Sequence, residues 1–216
     1  MRIKNTILFI LLSFVISLTV KSQHISFRNF TTDDGLSHNT VLSVYQDERG
    51  FIWMGTKDGV SLYNGKEITV YKHKKNDPNS LVYNVVSQIV GDRQGNVFFI
   101  TNRGISQYNI NEATFTTLVK QRTTAGYFDE KLYFAYGNRI YRYEKDNIRV
   151  VSQLPDGIDI KCICLHGDTI LAGTSHDGLF LLDGKRTLSH LIPSGHIYDI
   201  YRDSSGWYWA TSYNGM

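Results

Sequence analysis

A phrase near the start of the chain returns near its end, and that recurrence limits the fold more than any single residue does. Asp47-Glu48-Arg49-Gly50-Phe51-Ile52-Trp53-Met54-Gly55-Thr56-Lys57-Asp58-Gly59-Val60 reappears as Asp203-Ser204-Ser205-Gly206-Trp207-Tyr208-Trp209-Ala210-Thr211-Ser212-Tyr213-Asn214-Gly215-Met216. A weaker copy, Asp92-Arg93-Gln94-Gly95-Asn96-Val97-Phe98-Phe99-Ile100-Thr101, lies between them, and Leu171-Ala172-Gly173-Thr174 echoes Trp53-Met54-Gly55-Thr56. With the bulky residue as anchor, the copies fall on Trp53, Phe98, Phe134, Leu171 and Trp209, at intervals of 45, 36, 37 and 38 residues. Such a period marks a chain whose units bury their apolar faces on one another.

Inside the first unit, short β-prone runs alternate with turn residues. Residues 42–45 read as a first strand, Asp47-Glu48-Arg49-Gly50 as a type I turn, and 51–55 as a second strand. Asp58-Gly59 makes a tight hairpin into a third strand over 60–63, and Asn64-Gly65 another into a fourth over 68–71. The second strands, Phe51-Ile52-Trp53-Met54 and Val97-Phe98-Phe99-Ile100, are apolar on both faces, so each sheet must be sandwiched between neighbours. Trp53 and Trp209 are accordingly read as packing between units rather than as sugar-stacking platforms. The expected fold is all-β: β-propeller blades of four antiparallel strands. Repeats fall at about 36–80, 81–120, 121–155, 156–193 and 194–216, the last one incomplete and the ring not closed. The third is the most degenerate, with Tyr133-Phe134-Ala135-Tyr136-Gly137 at the anchor and no Asp-x-x-Gly turn before it. Residues 25–30 resemble a fourth strand, the piece that closes a propeller ring from one terminus. The chain is expected to be an amino-terminal fragment of a longer protein.

Met1-Arg2-Ile3-Lys4 followed by an apolar run to about Val20 reads as a secretory signal peptide over residues 1–22, cut before Gln23. The run falls short of the ~20 residues that span a bilayer comfortably, which favours cleavage over anchoring. The 23 basic side chains outnumber the 20 acidic ones only through Arg2, Lys4 and Lys21, so the exported part, 23–216, is balanced in charge. A balanced chain offers no electrostatic case for nucleic acid. Cys162 and Cys164 stand two apart on one strand face, too near in sequence for an easy disulfide and too few for a thiolate metal site. They read as small buried residues.

The succession Asp34-Gly35-Leu36-Ser37-x-Asn39-x-Val41, then Asp47-x-x-Gly50-x-Ile52-Trp53-x-Gly55-Thr56-x-x-Gly59-Val60, then Leu62-Tyr63, resembles the two-component regulator propeller repeat. The second copy, Ile100-Thr101-Asn102-Arg103-Gly104, is read as lacking the glycine before threonine and one turn residue, which suggests an altered hairpin there. The resemblance implies the exported sensor region of a hybrid two-component histidine kinase: a periplasmic propeller that detects carbohydrate breakdown products, in a protein that is often dimeric. Kinase activity would belong to the full-length protein, and membrane contact to the signal segment or to parts downstream.

No catalytic signature is present: no Gly-x-Ser-x-Gly elbow, no His-Glu-x-x-His, no P-loop. Asp47, Asp92 and Asp203 recur once per unit and are explained by turn geometry rather than by calcium. Neither a catalytic residue, a metal site nor a cofactor is assigned, and the chain is read as a binding module. In a propeller, the turns between second and third strands share a face with the blade-to-blade connectors. The non-repeating residues there are Lys57, Asp58, Arg103, Ser175, His176 and Tyr213, with Lys72, His73 and Asn79 from the first long connector. Lys57, Asp58, Arg103, His176 and Tyr213 are the candidate ligand-binding set, suited to a small molecule or oligosaccharide, neutral or carboxylated. The alternatives are a secreted propeller enzyme of lyase or hydrolase type, resembling the streptogramin-inactivating propellers, and a protein-interaction scaffold.

Overall fold

A computed structural model describes residues 27–144, 147–184 and 186–213; the expected signal peptide lies outside them, as do the first two residues of the 25–30 strand. Among the described residues, every regular element apart from one 3-10 turn at Thr32–Asp34 is a strand. Blade 1 is built from β1 (Val41–Gln46), β2 (Ile52–Thr56), β3 (Gly59–Tyr63) and β4 (Ile68–Tyr71), paired antiparallel in that order. Blade 2 follows with β5 (Val86–Gly91), β6 (Asn96–Thr101), β7 (Gly104–Asn109) and β8 (Thr114–Val119). Blade 3 has β9 (Ala125–Asp129), β10 (Lys131–Tyr136), β11 (Arg139–Glu144) and β12 (Asn147–Gln153), and blade 4 has β13 (Ile160–His166), β14 (Thr169–Thr174), β15 (Leu179–Asp183) and β16 (Arg186–Ile192). Blade 5 consists of β17 (Ile197–Arg202) and β18 (Tyr208–Ser212). The innermost strands β1, β5, β9, β13 and β17 meet in sequence, which places the blades side by side in an open arc.

The core lies between the sheets. One apolar cluster joins blades 1 and 2, with Trp53 packed edge-on to Phe99 and Tyr108 at centroid distances of 5.3 and 5.1 Å. Phe98 leads the cluster between blades 2 and 3, and Leu171 lies between blades 4 and 5. The anchor side chain of each second strand therefore points to the following blade, while its successor, Phe99, Ala172 or Ala210, points to the preceding one. Blade 3 departs from the sequence expectation. Phe134 packs backwards with Phe98, and Tyr133 faces blade 4, so the anchor there is Tyr133. A one-residue slip exchanges the faces of a strand. The pairing of blade 3 differs as well: β1, β5, β13 and β17 each shift register after their first residue, whereas β9 pairs with β10 without a bulge.

The missing glycine of the second repeat has a different consequence from the one expected. Thr101 pairs with Gly104 as Thr56 does with Gly59, with two residues between them in each, so no turn residue is missing and the hairpin is unaltered. Gly55 and Gly173 leave room for the next blade's Val86 and Ile197, whose methyls stand 2.9 and 2.6 Å from where a Cβ would sit. Ile100 occupies the corresponding place in blade 2, and the space is supplied instead by Gly126 of blade 3, whose Cβ would lie 2.6 Å from Ile100. The longer hairpin belongs to blade 4, where Thr174 is followed by Ser175, His176 and Asp177 before Gly178.

Each aspartate turn is closed by N–H donors. Asp47 accepts from the Arg49 and Phe51 amides at 3.0 Å each, from the Trp53 indole at 3.0 Å and from the Arg49 guanidinium at 2.7 Å. Asp203 repeats the pattern with Ser205, Trp207 and the Trp209 indole. These donors occupy both carboxylate oxygens, which explains the recurrent aspartate without an ion. Burial opposes ionisation of Asp47, but the bonds from Arg49, Trp53 and Phe51 outweigh it and hold its carboxyl below the ordinary value. Cys162 and Cys164 are buried free thiols, and burial, followed by the nearby Asp199 charge, pushes Cys162 up to about 12.

Trp209 has the same bond to its turn as Trp53 but is 49% exposed where Trp53 is wholly buried, because no further sheet covers β18 among the described residues. Replacing Trp53 by Ala should cost about 3–5 kcal/mol of unfolding free energy in urea, while Trp209→Ala moves the midpoint far less. Asp47→Asn should cost about 1–3 kcal/mol at neutral pH, since the buried Trp53 indole and the exposed Arg49 guanidinium lose a charged acceptor. Asp47 stabilises the fold when ionised, so this contribution is present above the ordinary carboxylate value and lost as pH falls through the lower folded value. The gap in melting temperature between Asp47→Asn and the parent should therefore narrow below about pH 4.

Candidate functional site

The hairpins between second and third strands share one construction. Thr56, Thr101 and Thr174 each donate a side-chain hydrogen bond of 2.9 Å to the carbonyl of the glycine that opens the third strand. Each hydroxyl also accepts an amide from the hairpin tip, from Asp58, Arg103 and Asp177 in turn. The threonines are fully buried and the tips stand clear of them. A constant frame thus presents variable side chains. The blade connectors lie against these tips: Gly59 donates to the Asn84 carbonyl, Ser175 to the Asp159 carbonyl, and Ile160 to the Gly137 carbonyl. Hairpin tips and connectors therefore occupy one face, as the topology required.

Lys57, Arg103, His176 and Tyr213 are exposed on that face, Tyr213 at 82%, each on its own blade. No hydrogen bond or ion pair joins any two of the five candidates. Asp58 is engaged elsewhere, accepting from Lys72 and from the Asn84 amide at 2.9 Å, and so locks the first hairpin to the following connector. Arg103 lies over the Tyr83 ring at 4.6 Å, which fixes its guanidinium above the same connector. His176 uses its carbonyl to hold the Gly195 amide, leaving the ring in solvent.

Two concavities accompany these tips. One, of about 430 Å³, lies along the innermost strands, between residues such as Ser43, Gln88, Lys161 and Asp199. Its polar groups are largely occupied: Gln88 bridges to Gly126 through both its donor and its acceptor, and Lys161 pairs with Asp159 at 2.6 Å. The other, of about 310 Å³, is formed by the connector from His73 to Val82 together with Thr117 and Lys120 of blade 2. Sequence reasoning singled out His73 but not Lys74 or Lys120. The signal lay in connector length, since residues 72–85 form a far longer link than 120–124, 154–159 or 193–196.

Among the histidines whose side chains are described, none is hydrogen-bonded to a carboxylate. His73 meets the Leu81 carbonyl, His190 the Asp177 carbonyl, and His38 accepts from the Thr40 amide.

Residues 35–58 match the family model described as two component regulator propeller. Histidine kinase P4 of Formosa agariphila is 37% identical over 73 residues, which covers 33% of this chain and 5% of the kinase. The extracellular domain of a putative hybrid two component system from B. thetaiotaomicron superposes with a TM-score of 0.66 at 18% identity, over 79% of this chain and 26% of that one. Virginiamycin B lyase from Staphylococcus aureus superposes with a TM-score of 0.62 at 17% identity, over 79% and 62%. At these identities the superpositions establish the propeller fold, and the chain spans only a small part of the kinase it matches. Residues 35–58 thus carry a two component regulator propeller repeat, set in a chain of propeller blades that is similar over part of its length to a histidine kinase.

Proposed function

We propose that this chain is the exported sensing propeller of a two-component system, binding a glycan-derived ligand on the connector face and passing occupancy to a histidine kinase elsewhere in the protein. The observation that carries the reading is the constant threonine–glycine frame under variable exposed tips. A surface that only had to stay dissolved would not need its tips pinned to a buried frame in three blades. The stretch matched to a histidine kinase supports the signalling partner. A periplasmic location and pairing into homodimers belong to the same reading. The enzyme reading is second to it, because the lyase likeness is one of fold and the described histidines lack acidic partners.

We further propose that residues 27–30 are the outer strand of a blade preceding blade 1. Phe30 packs on Tyr63 at 4.8 Å as Tyr71 packs on Tyr108 at 5.5 Å, and Thr32 donates to the Asn39 side chain as His73 does to that of Asn84. The segment therefore repeats the contacts that the β4 end makes with blade 2.

In the full-length protein, an oligosaccharide that raises kinase autophosphorylation should do so with at least about tenfold weaker apparent affinity in Lys57→Ala/Arg103→Ala/His176→Ala, with basal phosphorylation unchanged. An unshifted response curve in that variant would place recognition away from this face.

A further inference from the structure

The cavity between the first connector and blade 2 has a chemical character that the balanced charge of the exported chain does not foretell. Lys74 and Lys120 line it, and Lys75 and Arg122 lie one and two residues further along the chain, all exposed. None of these four is within ion-pair distance of a carboxylate among the described residues. Two acids lie close by. Asp58 is answered by Lys72, and Asp77 lines the cavity while its side chain accepts the Asn79 amide at 3.0 Å. Basic charge is therefore concentrated around one concavity and left without internal partners.

The connector that carries Lys74 is prebuilt. Ser80 is buried and accepts the Lys74 amide at 3.0 Å while its hydroxyl donates to the Asp77 carbonyl at 2.8 Å. The amides of Asp77 and Ser80 close two further turns, onto Lys74 and Asp77, and the His73 ring donates from Nδ1 to the Leu81 carbonyl at 2.7 Å. That bond sets the tautomer, since a carbonyl can only accept. These bonds fix the loop backbone, so a ligand orders only the exposed lysine side chains and not the loop that carries them. Leu81 is almost completely buried, and with Pro78 it supplies an apolar wall beside the basic edge. An apolar wall, a ring, a Thr117 hydroxyl and two ammonium groups around about 310 Å³ suit a small ligand with one hydrophobic side and an anionic substituent.

We propose that this cavity is a subsite for the acidic group of a charged saccharide, a carboxylate or a sulfate, held by Lys74 and Lys120. The proposal rests on the sensing reading above and specifies the class of glycan it concerns. Lysine serves as a point charge for either anion, so the two share one recognition chemistry and differ in how many acceptor oxygens they offer.

The test is calorimetric titration of the full-length protein with three probes: a uronic acid disaccharide, its sulfated counterpart, and a neutral disaccharide of the same size. The acidic probes should bind in preference to the neutral one. Their affinity should fall as salt rises from about 0.01 M to about 0.15 M, because the screening length shortens from about 30 to about 8 Å. Lys74→Gln/Lys120→Gln should weaken them at least about tenfold, whereas Lys66→Gln, on the opposite turn of blade 1, should not. The order of the two acidic probes then tells carboxylate from sulfate. Neutral binding as tight as acidic, insensitive to salt and to Lys74→Gln/Lys120→Gln, would overturn this subsite and leave the sensing reading standing. No binding of any saccharide would overturn both. Equal binding of an unrelated polyanion such as single-stranded DNA would overturn the saccharide assignment in favour of unspecific charge attraction.

Discussion

The whole arc depends on a strand that is apolar on both sides. Where blades are flanked on both sides, the second strand sends its anchor into the following blade and the next residue into the preceding one, so both faces of the sheet are covered. Trp53 shows the arrangement at its fullest, closed over by Tyr71 of its own blade and by Phe99 and Tyr108 of the next. Its indole nitrogen is drawn back to Asp47, which ties the anchor to the turn that starts its own strand. A buried aromatic with a satisfied polar tip both fills volume and sets orientation. The aspartate turn and the anchor are thus one device, and their joint recurrence in blade 5 is why the repeat stands out in the sequence.

Much of this architecture was legible because it rests on local chemistry. Asp-x-x-Gly turns, Asp-Gly and Asn-Gly hairpins and doubly apolar strands are readable one repeat at a time. What escaped depends on two repeats at once. The anchor of blade 3 was read one residue late, because Tyr133-Phe134-Ala135-Tyr136 offers an aromatic on either face and no Gly-Thr pair to fix the phase. The exchange of bulk between Ile100 and Gly126 is similarly invisible within either repeat, since the glycine that makes room belongs to the neighbour. Trp209 was legible as an anchor, but its exposure follows from what does or does not stack on it.

The candidate site divides along the same line. Lys57, Arg103, His176 and Tyr213 were placed on one face by alternation of turns and connectors, a rule of topology that needs no side-chain detail. The engagement of Asp58 by Lys72 and Asn84 was not readable, since those partners come from the following connector. Nor was the basic cavity, which joins Lys74 and Thr117 from opposite ends of blade 2's stretch of chain. Recognition surfaces on propellers are assembled from loops on rigid strands, so the strands are predictable while the pocket emerges only when neighbouring loops meet.

The central claim is that the connector face is where this propeller meets its ligand. Hydrogen exchange of the full-length protein, compared with and without a saturating activating saccharide, tests it most directly, because backbone amides report on both faces at once. The account predicts slowed exchange at residues 57–59, 72–85, 102–104 and 175–178, with the aspartate turns at 47–50, 92–95 and 203–206 unchanged. Protection confined to those aspartate turns, on the opposite face, would contradict it.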